Sequence, residues 1–96
     1  MRFEVGFIPS AEQDLKFYTA REQRIILDAI VEFLEVDANV ENKRRKPLRP
    51  NPLAPWELRI GDYRVFYETA EKAARILAIG HKVHGELVIQ GKKVTI

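Results

Sequence analysis

The sequence predicts an α+β fold in which two helices pack on one face of a largely antiparallel sheet. Three observations carry this prediction. Phe3, Val5 and Phe7 alternate with other residues as in a half-buried strand, which Pro9 ends. Residues 10–35 then show helical spacing of apolar side chains, and residues from Trp56 onward return to period two. The order strand, helix, helix and meander places the helices in one layer and leaves the other sheet face open.

Each predicted helix begins with a capping signal. Ser10-x-x-Gln13 predicts the start of a short helix, and Thr19-x-x-Glu22 predicts that a second helix begins near Ala20. One bent helix is the alternative, because no Gly or Pro separates the two signals. The second helix carries a broad apolar stripe, which predicts contact with both the sheet and the first helix. The first helix is expected to bury Ala11, Leu15 and Tyr18.

The meander is predicted from its turns. Gly61-Asp62 is a two-residue hairpin signal with glycine first, and it joins two strands whose shared core face is apolar. A further strand runs from about Arg75 to Val83, and a short strand covers Leu87–Ile89. Before the hairpin, four prolines exclude a helix or a central strand and leave open whether the loop is ordered. These prolines are Pro47, Pro50, Pro52 and Pro55.

Charge is unevenly distributed along the chain. The 96 residues, which we expect to form a single domain over 1–96, carry 16 Lys and Arg against 14 Asp and Glu, for a formal net charge of +2. Residues 1–42 have four basic and nine acidic side chains, or −5, and residues 43–96 have twelve and five, or +7. Such asymmetry points to a polyanionic partner. The densest basic patch is Lys43-Arg44-Arg45-Lys46, with Arg49 close behind, although a solvated loop explains such a run equally well.

Several protein classes are excluded or disfavoured by composition. Cysteine is absent, which excludes disulfides and thiolate chemistry. The longest apolar run is Ile76–Ile79, far shorter than the roughly 20 residues of a membrane span. No apolar stretch of signal-peptide length follows Met1, so we expect a cytoplasmic domain. Two histidines without a carboxylate cluster, and no Gly-rich phosphate loop, predict neither a metal nor another cofactor.

Two arginines are predicted to face each other across the hairpin. A two-residue turn places Arg59 opposite Arg64 on the polar face of the sheet. Like charges in this position destabilise a sheet, and an anion such as a phosphate would relieve the repulsion. The alternative is that Glu57 and Glu68 neutralise the pair. Phe66 shares this face, where an exposed ring would stack on a nucleobase or receive an apolar side chain of a partner protein.

The segment Ile79-Gly80-His81-Lys82 changes abruptly from apolar to polar. Gly80 permits close approach of another backbone, and His81 can titrate near neutrality. Lys82 adds a cation. A histidine at a strand end is more often only hydrogen-bonded than catalytic, so this segment is a weaker signal than the hairpin.

The element order and these segments together resemble the RelE/ParE superfamily of toxins from prokaryotic toxin–antitoxin modules. The most specific parts of the resemblance are Lys46-Pro47-Leu48, the Trp56–Tyr67 hairpin and Gly80-His81-Lys82, and it spans nearly the whole chain. RelE-type members cleave messenger RNA in the ribosomal A site. ParE-type members share the fold, lack that nuclease set and poison DNA gyrase through a protein interface.

The resemblance to RelE-type nucleases implies roles for individual residues. Arg64 matches the arginine that stabilises the charged transition state, and Lys82 stands where an arginine usually follows Gly-His. His81 remains the candidate for proton transfer. Glu57 stands where well-characterised nucleases have a basic residue, and no aromatic residue follows Tyr67, although the nucleases carry a tyrosine in that region.

We therefore expect a RelE-like toxin that inhibits translation by ribosome-dependent mRNA cleavage. The alternatives are a ParE-like toxin of gyrase and a degenerate member that only binds RNA or its antitoxin. The expected partners are an acidic antitoxin covering the open sheet face, with the ribosome and mRNA, or gyrase in the alternative. The expected catalytic residues are Arg64, His81 and Lys82, and the expected RNA-binding residues are Lys43, Arg44, Arg45, Lys46, Arg49, Arg59 and Phe66.

Overall fold

The computed structural model describes residues 1–96 and confirms the α+β fold. Two helices and seven strands make up the structure. In chain order they are β1 (Glu4–Phe7), α1 (Pro9–Lys16), α2 (Ala20–Leu34), β2 (Arg45–Pro47), β3 (Trp56–Ile60), β4 (Tyr63–Ala70), β5 (Ala73–Val83), β6 (Glu86–Ile89) and β7 (Lys92–Val94). Pro47 lies in the edge strand β2, where a missing backbone donor is tolerated.

The strands form one sheet in the order β2-β3-β4-β5-β6-β7, with antiparallel pairing throughout. The exception is β1, which pairs in parallel with the first part of β5. Because β4 occupies the other edge of β5, both β1 and β6 lie along the same edge, one after the other. The N-terminal strand thereby extends the sheet beside the meander.

The β3–β4 hairpin has the predicted register. All five residue pairs match, from Trp56 opposite Tyr67 to Ile60 opposite Tyr63. Gly61 has a φ of +57°, the conformation that the first central residue of this turn requires and that glycine adopts without strain. The short turn therefore fixes which side chains lie on each face.

The main core lies between the helices and the sheet. It contains the apolar hairpin face predicted from the sequence, and the hydroxyl of Tyr67 donates a 2.7 Å hydrogen bond to the carbonyl oxygen of Ala38 at its far side. Its 13 buried residues are Phe3, Ala11, Tyr18, Ile26, Ile30, Leu34, Ala38, Leu58, Val65, Tyr67, Ala74, Ile76 and Ile79.

The opposite face of the sheet is partly covered, so the expectation of an open face is wrong for this region. Phe66 is fully buried there with Ala54, Ala78 and Leu87. The cover includes Leu53 from the proline-rich loop and side chains of the last two strands, elements distant in sequence from β4. The expectation that the Phe66 ring is exposed for stacking is therefore also wrong.

The proline-rich loop is ordered by one asparagine. The side-chain amide of Asn51 donates to the carbonyl oxygens of Arg49 and Ala54, at 2.7 and 2.8 Å. Its Oδ1 accepts from the backbone N–H groups of Leu53 and Ala54, at 2.7 and 3.0 Å. These four bonds hold Leu53 and Ala54 in position to cover Phe66.

The two helix starts differ in how well local sequence predicted them. Thr19 and Glu22 form the predicted capping box at the start of α2. The capping box expected at Ser10 is absent: the N-cap is Ile8, two residues earlier and without a side-chain bond, and α1 begins at Pro9. Proline suits the first helical position because its φ is already helical and its missing N–H has no partner to lose. No helix here has both the length and the apolarity to cross a membrane.

Candidate functional site

Glu57 lies between two arginines on the sheet face away from the helices. Its Oε2 accepts a 2.7 Å hydrogen bond from Nε of Arg59, and its Oε1 lies 3.8 Å from Nε of Arg64. The two arginines are directly opposite each other, as predicted. Glu57 supplies the internal counter-ion that the sequence left as an alternative, whereas Glu68 pairs with Arg75.

The guanidinium of Arg64 is turned back onto its own hairpin. Its Nη1 donates to the carbonyl oxygens of Gly61 and Tyr63, at 2.7 and 2.9 Å. Its Nε is buried without a hydrogen-bond partner, and the whole side chain is only 15% exposed. Arg64 therefore presents little of its planar fork to an incoming group.

His81 belongs to a different cluster, on the helix side of the sheet. Its Nδ1 lies 2.7 Å from the hydroxyl of Tyr18, and the two rings meet edge to face. The pKa of Tyr18 is raised far above its ordinary value. Burial is the main cause, and the negative charge of Glu22 is the next. The hydroxyl therefore stays protonated, and because a phenol can both donate and accept, its bond to Nδ1 suits either tautomer of the imidazole.

Glu22 and Tyr63 complete this cluster. The Tyr63 hydroxyl donates a 2.8 Å hydrogen bond to Oε2 of Glu22, while Oε1 is held by the backbone and hydroxyl of Thr19. The bond from Tyr63 is the main cause that lowers the pKa of Glu22, so its carboxylate stays ionised at neutral pH. Together with Tyr18 and His81, these side chains line a cleft of about 530 Å³.

The three residues expected to be catalytic do not share one face. His81 is opposite Tyr63 on the helix side, whereas Arg64 is opposite Gly80. Successive residues of a strand point to opposite faces, so Arg64 and His81 project from opposite sides of the sheet. Lys82 follows His81 and projects to the side of Arg64. The fold thus brings Arg64 and Lys82 to one face and leaves His81 on the other.

Two arginines of the basic segment, residues 43–49, contact other parts of the chain. The guanidinium of Arg44 lies 5.1 Å from the centroid of the Phe33 ring, a cation–π contact. Arg45 donates from Nε to the carbonyl oxygen of Val40 and from Nη1 to that of Phe33, at 2.7 and 3.0 Å. Arg45 therefore anchors β2 beneath α2 and is largely used within the fold.

The other cations of the basic segment make fewer contacts within the protein. Lys46 is half-buried, with Nζ 3.9 Å from Glu41. Lys43 and Arg49 are exposed and make no ion pair. No group of three or more His, Asp or Glu side chains is arranged to hold a metal ion.

Comparison with known proteins identifies the family. A family model described as the ParE toxin of the type II toxin-antitoxin system, parDE, matches residues 5–84. The chain belongs to the ParE toxin family. It is a toxin of a type II toxin–antitoxin system within the RelE/ParE superfamily, as the resemblance of the hairpin and the Gly80 segment implies. No curated protein matches this toxin.

Two solved structures have the same fold as this toxin. One is the RelBE2 toxin–antitoxin complex from Mycobacterium tuberculosis, with a TM-score of 0.69 and 21% identity over 85% of this chain and 100% of that chain. The other is the archaeal RelE–RelB complex from Pyrococcus horikoshii, with a TM-score of 0.64. It is 23% identical and covers 82% of this chain and 93% of that chain. At these identities the similarity establishes the fold.

The sequence of this toxin does not predict that Tyr18, Glu22 and Tyr63 join His81 in one cluster. It predicts Tyr18 in the core, Glu22 in a helix cap and Tyr63 on the apolar hairpin face, and the structure confirms each position. The contacts that join their polar ends to His81 span 41 and 63 residues of chain. No local pattern reports pairings of that range, although a tyrosine beside a helix start offers a polar group that needs a partner.

Proposed function

We propose that this toxin inhibits DNA gyrase through a protein interface and does not cleave RNA. The observation that carries this proposal is the position of Arg64 and His81 on opposite faces of the sheet. Cleavage of a phosphodiester needs charge stabilisation and proton transfer at the same phosphate. Side chains that project from opposite sides of one sheet cannot both reach it.

Two further observations support the proposal. Glu57 lies between the two arginines as an internal counter-ion and offsets part of their repulsion, so the pair does not depend on a substrate phosphate. Val88 pairs with His81 in the region where the RelE-type nucleases carry a tyrosine, and β6 offers no aromatic side chain in its place. Both agree with the ParE-type members, which share the fold without the nuclease residues.

The proposed natural inhibitor of this toxin is an acidic antitoxin acting in the cytoplasm. The two similar structures are complexes of toxins with their antitoxins. The exposed cations Lys43, Arg49 and Lys92, together with the others of residues 43–96, favour an acidic binding segment. We expect the interaction to weaken as salt screens these exposed charges.

Induction of the toxin alone in cells tests the proposal. We expect growth arrest with blocked DNA supercoiling and intact mRNA ends on translating ribosomes. New codon-linked mRNA cleavages that disappear in Arg64→Ala would establish the nuclease and contradict the proposal. Absence of growth arrest would leave a protein that only binds RNA or its antitoxin.

Ribosome-dependent mRNA cleavage remains a second candidate because of the exposed cations. Lys43 and Arg49 are without ion pairs, and Lys82 lies on the same face as Arg64. Such cations bind RNA phosphates with a strong salt dependence. In this candidate Arg64, Lys82 and the basic segment engage mRNA, and His81 acts only if β5 rearranges.

A further inference from the structure

Two arginines contact a single carboxylate on the sheet face away from the helices. Glu57 contacts Arg59 and Arg64, and Lys46 is its cross-strand neighbour on β2. Arg59 remains about half exposed, whereas the Glu57 side chain is 6% exposed. A half-exposed arginine therefore lies against a buried carboxylate.

The position of the Glu57 carboxylate is fixed from both sides. Its other cross-strand neighbour is Phe66, which is fully buried in the second apolar cluster, formed with Ala54, Ala78 and Leu87. A buried carboxylate is costly unless cationic partners and hydrogen bonds compensate for lost hydration. Arg59 provides a charge-assisted bond at 2.7 Å, so the side chain has little reason to leave its position.

Arg64 is committed to the same internal arrangement. Its Nη1 is used by two carbonyl oxygens of the hairpin, and its Nε faces Glu57 at 3.8 Å. An anion that bridged the two opposed arginines would need the volume that the Glu57 oxygens occupy. It would also meet a like charge at contact distance.

We infer that Glu57 is a specificity-determining residue whose carboxylate occupies the anion site of Arg59 and Arg64 and thereby rejects RNA phosphates. This inference rests on the proposed function, because it explains how a basic toxin avoids RNA while acting on a protein. Arg59 and Arg64 hold the Glu57 carboxylate within the hairpin, and this carboxylate offsets part of their positive charge. The freely exposed cations elsewhere retain only weak, nonspecific attraction for polyanions.

The variant Glu57→Gln tests the inference because it removes the charge and nearly preserves the volume. The probe is a fluorescein-labelled single-stranded oligouridylate, with binding followed by fluorescence anisotropy over a series of salt concentrations. At about 50 mM salt we expect about ten-fold tighter binding than wild type, as one new charge-assisted contact provides. The slope of log K against log salt should steepen by about 0.7 for each phosphate newly contacted.

Glu68→Gln is the matched control because it changes the formal charge by the same amount. Glu68 pairs with Arg75 on the surface, away from the opposed arginines. We expect it to gain much less affinity than Glu57→Gln, and the gain of Glu57→Gln should disappear in the double variant Glu57→Gln/Arg59→Gln. Equal gains in the two single variants, or a gain that survives in the double variant, would overturn the inference.

A measurement on the wild-type toxin keeps the inference testable if Glu57→Gln fails to fold. Inorganic phosphate is added while the Nε–H signals of Arg59 and Arg64 are followed by NMR. We expect neither signal to move, because Glu57 holds the site. Saturable shifts of both signals would show that phosphate enters, and would overturn the inference. RNA cleavage by the wild type would instead overturn the proposed function, which a gyrase assay tests separately.

Discussion

At the residue scale, Asp14 is a buried carboxylate without a cationic partner. Its Oδ2 accepts a 3.0 Å hydrogen bond from the backbone N–H of Ile79, and its Oδ1 accepts from the side-chain amide of Gln90 at 2.5 Å. Ile79 lies on the edge of β5 after the last residue paired with β1 and before His81, the first paired with β6. Asp14 therefore replaces a strand at the one place where the sheet edge is interrupted.

Replacing Asp14 by alanine should destabilise the protein by about 1–3 kcal/mol, because the N–H of Ile79 loses its partner while remaining buried. Urea unfolding followed by circular dichroism measures this change. Asp14→Asn keeps one acceptor and should cost less. Glu12→Ala, at an exposed position of the same helix, should stay within about 0.5 kcal/mol of wild type. Equal losses at residues 12 and 14 would contradict the role assigned to Asp14.

The sequence did not predict the role of Asp14. The sequence pattern predicts Ala11, Leu15 and Tyr18 as inner positions of the first helix; all three contact the core, but α1 ends at Lys16 and Tyr18 lies in the turn before α2. A carboxylate beside them reads as a solvent-facing residue, since nothing within the helix marks it as an acceptor. Its partners lie 65 and 76 residues away in the chain, on β5 and directly after β6.

At the scale of elements, β6 lies very close to β5 at Gly80. A Cβ atom built at this position would lie 2.6 Å from the carbonyl oxygen of Val88 and 2.8 Å from Cγ1 of Ile89. The first of these is backbone, which cannot rotate away. The close approach expected from the sequence at Gly80 is thus confirmed, and it sets how tightly β6 closes over the second apolar cluster.

Gly80→Ala should destabilise the protein by about 1–3 kcal/mol, because β6 must shift to admit the methyl group. Gly6→Ala on β1 is the matched control, since a Cβ there would have no neighbour within 4 Å. Thermal or urea unfolding of the two variants gives the comparison. A stability of Gly80→Ala equal to that of Gly6→Ala would mean that β6 packs less closely than described.

The sequence predicts the local elements, but it does not predict which side chains from distant segments pack over them. The hairpin register follows from Gly61 and the alternation around it, all within one stretch of chain. The burial of Phe66 depends on Leu53 and Leu87, which reach it from the loop and from β6. The expected start of α1 is wrong because Pro9, which ends the strand pattern in the sequence, is also the first residue of the helix, a position that suits proline.

At the scale of the whole molecule, all three tyrosines have raised pKa values. Burial is the main cause for Tyr18, Tyr63 and Tyr67, and the hydrogen bond to Glu22 adds to it for Tyr63. The folded protein therefore favours the protonated phenol more than the unfolded chain does. This contribution to stability is complete below the ordinary tyrosine pKa of about 10 and is lost as pH rises above it.

We expect the free energy of unfolding to fall between about pH 9 and about pH 11, since tyrosines of the unfolded chain ionise first. Urea unfolding at these two pH values measures the fall, and the absorbance of tyrosinate reports ionisation. Tyr67→Phe removes one buried phenol and should reduce the pH dependence. Full ionisation of all three tyrosines near pH 10 in protein that is still folded would contradict this expectation.

The charge asymmetry of the sequence has a partial counterpart in three dimensions. The acidic side chains of residues 1–42 lie largely on the helix layer, including Glu12, Asp28 and Glu32 at exposed positions. The basic side chains of residues 43–96 lie on the loop and strands, where part of their charge is neutralised by Glu57. A count of charges could not reveal this neutralisation, which depends on the hairpin register.

The most direct test of the central claim adds the purified toxin to a supercoiling reaction of purified gyrase with relaxed plasmid DNA. We predict loss of supercoiling. The wild-type and Arg64→Ala toxins are tested side by side, and each is also added to mRNA on programmed ribosomes in a parallel reaction. We expect inhibited gyrase and intact mRNA. Unaffected gyrase together with mRNA cleavage that requires Arg64 would refute the proposed function.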